Sequence, residues 1–225
     1  PGLIGLCELD GAEAKCSKTK IMGLSIHYQG RIKDNALIDE MTEEVADVCN
    51  SMGWKYHLME VVDTEKPESN THHIRYSPED VKGITFSPEE CEPVILTFLP
   101  DGMLVNWVKL IHYDHLTNDL AIEWVHTKTQ FAGPDTHIAV VKLLHYISEK
   151  YFSFFELSDE GLYWGTWDEK ILLSQFAKYN SLLDKMTAAL QNVKLAPGET
   201  VENLADRIEE ILKKKFDEGH FKEEE

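Results

Sequence analysis

Two segments of the chain, "GRIKD" and "KTQFAGPD", carry the side chains best suited to binding an anion. Gln29 precedes the first segment, which contains Arg31 and Lys33, and the second segment contains Lys128 and Gln130. Cations and amide groups are frequent partners of carboxylate and phosphate oxygens. If the two segments lie side by side, we expect a positive pocket for an anionic small molecule, in a chain whose net charge is −18.

The second segment also has a purely structural interpretation. It leads into an apolar helix, and Asp135 stands at the position of an N-cap. A carboxylate at that position would accept hydrogen bonds from the free N–H groups of the first helical turn and would repel an incoming anion. Pro134 removes a further donor. The corner alone therefore predicts an ordinary helix start, and the pocket depends on the two segments being adjacent.

Several histidines are candidate metal ligands. Zinc is bound by three or four His, Cys or carboxylate groups in a tetrahedral arrangement. In "HYDH" the two histidines are three residues apart, which suits one face of a helix but opposite faces of a strand. We expect a strand or turn there, so histidines on surface loops without a cofactor are the simpler interpretation. The candidate ligands are His72, His73, His112, Asp114 and His115.

The segment "ELSDEGLYWGTWDE" places Tyr163, Trp164 and Trp167 close together beside a turn. Aromatic side chains are common at protein-binding hot spots and are also common in cores. The pattern predicts a short strand, on which Tyr163 and Trp164 face opposite ways. An aromatic interaction patch and ordinary core packing are therefore both open.

Motifs of the common nucleophilic and nucleotide-binding enzymes are missing from the sequence. There is no G-x-S-x-G, no Walker loop and no G-x-G-x-x-G. Cys91 lies between Glu90 and Glu92, whose negative charges raise the pKa of a thiol and weaken it as a nucleophile.

Composition excludes some classes of partner. Acidic residues number 40 against 22 basic ones, and this balance disfavours nucleic-acid binding, which needs cations to displace counterions. No apolar run approaches the roughly 20 residues of a membrane span. The cysteines lack C-x-x-C spacing, which indicates reduced thiols in a cytoplasmic protein, although a loop between the first two is an alternative. They are Cys7, Cys16, Cys49 and Cys91.

The pattern of strands and helices predicts an α+β fold. Apolar residues from Leu37 to Met52 recur at three and four residue steps, which predicts an amphipathic helix that ends at Gly53. A strand is expected on each side of it, near residues 22–29 and 55–63. A second strand–helix–strand unit is expected at 121–157, and a hairpin around Pro100-Asp101-Gly102 lies between the units.

Two such units can join edge to edge into one largely antiparallel sheet with both helices on one face. This arrangement resembles the ferredoxin-like and TATA-binding-protein-like (TBP-like) pseudo-duplicated architectures, and an architecture does not specify a function. We predict an irregular N-terminal arm at 1–20, a single domain at 21–195, and a C-terminal helix with an acidic tail at 196–225.

Two helices are expected after the second unit. The first helix has a heptad-like stripe of apolar residues from Leu172 to Leu190, and Asp168 is the expected cap of this helix. Thr200 is the expected cap of the second helix. The stripe indicates packing on the sheet or, alternatively, a homodimer seam. Overall we expect a soluble, non-catalytic binding or protein-interaction module, with a protein partner or self-association through these helices and no nucleic acid or membrane. The alternative is an enzyme that uses a metal or acts on an anionic small molecule at the Arg31/Lys128 corner.

Overall fold

The computed structural model describes residues 24–60, 80–111 and 124–191, with single positions between 193 and 214. These residues have an α+β arrangement with antiparallel strands, as predicted. The strands are β1 (Ser25–Ile32), β2 (Lys55–Met59), β3 (Lys82–Ser87), β4 (Val94–Phe98), β5 (Val125–Lys128) and β6 (Phe152–Asp159). A 3-10 turn (Asn35–Leu37) precedes α1 (Ile38–Met52), and α2 (Trp107–Ile111), α3 (Gly133–Tyr151), α4 (Tyr163–Thr166) and α5 (Glu169–Leu190) follow.

The described strands form two sheets of three, whereas the sequence pattern had indicated one continuous sheet. In the first sheet β1 lies in the middle, between β5 and β6. In the second sheet β3 lies between β2 and β4. The strands are divided between two sheets because β2 pairs with β3 and not with the strands of the second unit. β3 lies outside every predicted element.

The two sheets meet along β1 and β4. The Ile95 amide donates to the Tyr28 hydroxyl and the hydroxyl donates to the Ile95 carbonyl, both at 2.9 Å. Farther along, Leu104 donates to the carbonyl of Gly30 at 2.9 Å. A buried peptide group that lacks a partner is costly, so the Tyr28 side chain acts here as a substitute for a neighbouring strand.

The helix α1 forms as the spacing predicts. Its buried residues are Ile38, Met41, Val45 and, one turn farther on, Cys49, with Thr42 beside them. Gly53 ends the helix with a φ of 70°, a left-handed conformation that suits glycine. The helix packs on β2 and β3, so it covers the second sheet.

Two predicted details are corrected. After the Pro100–Gly102 turn the chain makes only single bridges, Met103 with Arg31 and Leu104 with Phe98, and then enters α2. The Asn106 side chain accepts the amides of the first turn of α2, which explains why a helix forms there in place of the second hairpin strand. The helix α3 begins at Gly133, so Asp135 lies within its first turn and is not its N-cap.

One main core joins both sheets with α1, α3 and α5. Leu172 and Phe176 of α5 are buried in it, so the first half of the predicted heptad stripe packs on the protein's own core. Asp168 caps α5 through the Lys170 amide, as predicted, and Thr200 accepts the Asn203 amide. None of the described helices has the length and apolar character needed to cross a bilayer. The predicted arm at 1–20 and most of 196–225 lie outside the described residues.

Candidate functional site

The two anion-binding segments are at opposite ends of the central strand. Because β1 and β5 are antiparallel, Lys128 pairs with Ser25 at the start of β1. Arg31 lies six residues farther along, which is about 20 Å in an extended strand. The expectation that the two segments are adjacent is therefore wrong, and they do not form a shared pocket.

The polar groups of the first segment hold neighbouring elements together. Gln29 donates to Glu156 on β6 at 2.7 Å. Arg31 contacts the carbonyl and, at 3.5 Å, the carboxylate of Asp101. The Lys33 ammonium donates to the carbonyls of residues 149 and 150 at 3.0 and 2.7 Å, and so caps the C-terminal end of α3. This is the end of a helix that favours a cation.

The second segment is partly enclosed. The Lys128 ammonium lies 5.9 Å from the centroid of the Phe131 ring. Gln130 is buried, and within the described part of the chain its amide nitrogen has no hydrogen-bond partner. These two residues therefore occupy different environments, one at the surface and one in the interior.

The three aromatic residues predicted as an interaction patch lie close together, but on a helical turn and not on a strand, and Tyr163 is buried. Tyr163 and Trp164 begin α4, and Trp167 follows it. The Trp167 ring lies 5.4 Å from Tyr163, 6.3 Å from Trp164 and 4.9 Å from His145 of α3, and Phe155 of β6 lies 6.0 Å from Trp164. We call these five residues the aromatic corner.

The backbone at the aromatic corner is in an unfavourable conformation. Leu162 and Trp167, on either side of α4, have φ angles of 61° and 54°. Left-handed backbone is rare for bulky residues and costs roughly 1–2 kcal/mol at each position. Both side chains are nonetheless exposed, at 47% and 45% of their surface. The fold thus leaves nearly half the surface of two large apolar residues in solvent, at a cost in stability.

A buried set of polar side chains supports this corner. The Thr129 hydroxyl lies 2.7 Å from Nδ1 of His137, and Nε2 of His137 lies 3.1 Å from the Asp159 carboxylate. The same carboxylate accepts the amides of Gly161 at 2.7 Å and Trp164 at 2.9 Å. Asp159 therefore connects the interior of α3 to the first residues of the aromatic corner.

Close packing leaves no room for a side chain at residue 161. A Cβ atom on Gly161 would lie 2.6 Å from the Leu172 side chain and 2.8 Å from Nε2 of His137. Burial alone would raise the pKa of Asp159, but the His137 ring and the amides of Trp164 and Gly161 outweigh it and lower the pKa. The carboxylate is therefore held in its charged form.

Thr129, His137 and Asp159 have the residue types of a proton relay, but solvent and substrate do not reach them. The Thr129 and His137 residues have no exposed surface, and the Asp159 side chain is 2% exposed. A substrate cannot reach the Thr129 hydroxyl in this structure, so the set is a positioning network. This network was not predicted from the sequence. One usable signal was that His137 shares its helical stripe with Val141 and Leu144, and a buried histidine requires polar partners.

The candidate metal ligands, His72, His73, His112, Asp114 and His115, lie outside the described residues. Among the residues that are described, no group of three or more His, Cys, Asp or Glu side chains is arranged to hold a metal ion. Cys49 and Cys91 are free thiols. Burial first, and then the charge of Glu92, raise the pKa of Cys91 to about 12, which agrees with the expectation of a poor nucleophile.

Comparison with protein-family models, with curated proteins and with solved structures finds no match to this chain.

Proposed function

We propose that the chain is a protein-interaction module whose aromatic corner receives a Lys or Arg side chain of a partner segment. The observation that carries the proposal is the exposure of Trp167 and Leu162 in left-handed backbone conformations. Bulky side chains in such conformations are uncommon, and unfavourable backbone is frequent at functional sites. Leu162 and Trp167 keep nearly half of their surface exposed, so the burial of their own side chains offsets only part of this cost.

A cationic partner group agrees with the chemistry of the site. The faces of tryptophan rings attract cations, and Trp164 and Trp167 offer two such rings 6.3 Å apart. The net charge of −18 also favours association with a basic segment. The free thiols of Cys49 and Cys91 support a cytoplasmic setting as part of the proposal.

A second copy of the chain, bound through α5, is the other candidate partner. Leu172 and Phe176 are used in the core, so a dimer seam would depend on the half-buried residues of the second half of the helix, Tyr179, Leu183, Met186 and Leu190. Analytical ultracentrifugation over a hundredfold range of protein concentration tests this seam. A Met186→Glu variant that turns a dimer into a monomer would support it, and a monomer at every concentration would exclude it.

Peptide selection tests the aromatic corner. We expect peptides selected from a random displayed library by the wild-type chain to be enriched in Lys or Arg. Trp167→Ala should weaken their binding by about tenfold or more, because truncation of a central aromatic residue removes much of the binding energy. Phe131→Ala is the matched control, since this aromatic residue is 62% exposed and lies outside the corner.

Two results would contradict the proposal. One is that the selected peptides are acidic or uncharged. The other is that they bind the Trp167→Ala and Phe131→Ala variants with equal affinity. A thermal unfolding curve for each variant shows whether the chain is folded before binding is compared.

A further inference from the structure

A pair of histidines lies on the face of the first sheet that points away from the core. Ile26 and Tyr28 of β1 point inward and are buried, whereas His27 between them is half-buried on the other face. His27 stands directly opposite His126 of β5, and the two ring centroids are 6.0 Å apart. His126 is exposed. Phe155 of the aromatic corner is on the inward side of β6, so the histidine pair lies on the opposite face of the sheet.

The groups around the pair come from each element beside it. On β6, Ser158 stands opposite His27, and the nearby Glu156 carboxylate already accepts from Gln29 at 2.7 Å. Lys109 of α2 and Glu92, which precedes β4, both act on His126. One oxygen of Glu92 accepts the backbone amide of Lys128 at 3.0 Å, and the Lys128 side chain belongs to the same face as His126.

These groups favour a neutral His126 at neutral pH. Burial first and the charge of Lys109 second lower the pKa of His126, Glu92 opposes them, and His27 lowers it further. An anion bound between the rings would reverse this balance, because it favours the protonated form of each imidazole. A protonated imidazole donates from both ring nitrogens and forms charge-assisted hydrogen bonds with oxyanions.

We propose that His27 and His126 together bind the terminal phosphate or sulfate group of a small molecule, as a site separate from the aromatic corner. Cross-strand neighbours are close enough for one tetrahedral oxyanion above the sheet to accept a hydrogen bond from each ring. A metal ion fits less well, since among the described residues no third ligand is arranged with the pair, and at His126 the positive charge of Lys109 outweighs the negative charge of Glu92. Binding strengthens as the pH falls and the rings become protonated.

Sulfate is a suitable probe because its charge is constant between pH 5.5 and 8. We expect its affinity, measured by calorimetry with chloride holding the ionic strength constant, to fall at least tenfold from pH 5.5 to pH 8. Proton NMR of the ring Cε1–H signals should show the titration midpoints of His27 and His126 moving upward when sulfate is present. His27→Gln and His126→Gln should each weaken binding at pH 5.5 by about tenfold, the loss of one charge-assisted hydrogen bond.

His57→Gln is the matched control, because His57 is an exposed strand histidine on the second sheet. It should leave sulfate affinity unchanged. The site is excluded if sulfate moves neither midpoint, or if His57→Gln weakens binding as much as His126→Gln does. Methyl phosphate should bind more tightly than dimethyl phosphate at pH 6, and equal affinity would overturn the assignment to a terminal group.

Discussion

The two strand–helix–strand units have the same local pattern but different tertiary roles. In the second unit, β5 and β6 lie on either side of β1, and α3 passes directly into β6 without an intervening residue. In the first unit, β1 and β2 belong to different sheets. Both units have the same sequence pattern of apolar residues, yet their strands pair differently. The pattern therefore does not decide which strands pair.

The difference follows from what anchors the helix in each unit. The second unit buries Thr129, His137 and Asp159, with the Thr129 hydroxyl 2.7 Å from Nδ1 of His137 and the Asp159 carboxylate 3.1 Å from Nε2. In the first unit the end of α1 is anchored by apolar contacts. Trp54, just after this helix, stacks on Phe86 of β3 with 5.5 Å between the ring centroids. Buried polar groups specify geometry more narrowly than apolar contacts do, so we expect the second unit to be the less tolerant of substitution.

The largest expected effect is that of Asp159→Ala. It leaves the buried amides of Gly161 and Trp164 without their acceptor and removes the carboxylate that lies 3.1 Å from Nε2 of His137. We expect the free energy of unfolding to fall by about 3 kcal/mol or more, measured by urea denaturation. Asp39→Ala, which removes an exposed ion pair with Lys82, should have a far smaller effect. Equal effects would show that the buried network does not stabilise the second unit.

The pH dependence of stability tests the same carboxylate. The pKa of Asp159 is lowered in the folded chain, so the charged carboxylate stabilises the fold above its unfolded pKa of about 3.9. This stabilisation is lost as the pH falls through the lower folded pKa. The difference in unfolding free energy between wild type and Asp159→Asn should therefore be constant near neutral pH and shrink below about pH 4. A difference that grows on acidification would refute this assignment.

A smaller loss is expected for Tyr28→Phe, at the seam between the sheets. Removal of the hydroxyl leaves both the amide and the carbonyl of Ile95 unpaired and buried, which costs about 1–3 kcal/mol. Tyr146→Phe is the control, since its hydroxyl bonds Glu44 in an exposed position. Equal unfolding midpoints for the two variants would mean that the seam tolerates the unpaired groups.

Beside the aromatic corner, substitutions of Leu162 test the left-handed backbone. Glycine adopts left-handed backbone without the Cβ penalty, whereas alanine retains it. Leu162→Gly should therefore be more stable to urea than Leu162→Ala by about 1 kcal/mol. The reverse order would show that the backbone at residue 162 is not under strain.

The smallest effect is expected at Leu58→Thr, on β2 of the first unit. Leu58 is 45% exposed, and substitutions at such positions usually change stability by less than about 0.5 kcal/mol. A loss above about 1.5 kcal/mol in thermal or urea unfolding would mean that β2 is as firmly packed as β6, and the contrast between the units would fail.

Local features of the fold were predictable, and its long-range pairing was not. The spacing of Ile38, Met41 and Val45 predicts α1 because a helix has a fixed period and a single buried face. The division into two sheets depends on which strand pairs with β3 and on one hydroxyl at residue 28, and a local sequence pattern specifies neither contact.

For the candidate site, the three aromatic residues were predicted but their conformation was not. The local sequence pattern favoured a strand. It gave no sign of the helical turn, because Leu162 and Trp167 on either side of it adopt backbone angles that bulky residues rarely adopt. The pairing of His27 with His126 depends on strand register, which the separate segments do not specify.

The central position of β1 has a consequence for synthesis of the chain. Both edges of this strand pair with segments made much later, and the Ser25 amide bonds a carboxylate 135 residues farther on. During translation β1 must therefore emerge from the ribosome long before either neighbour exists. Such distant pairing slows folding and leaves the apolar face of β1 uncovered in the meantime. We expect nascent chains of this protein to depend on chaperones until the segment that forms β6 has been made.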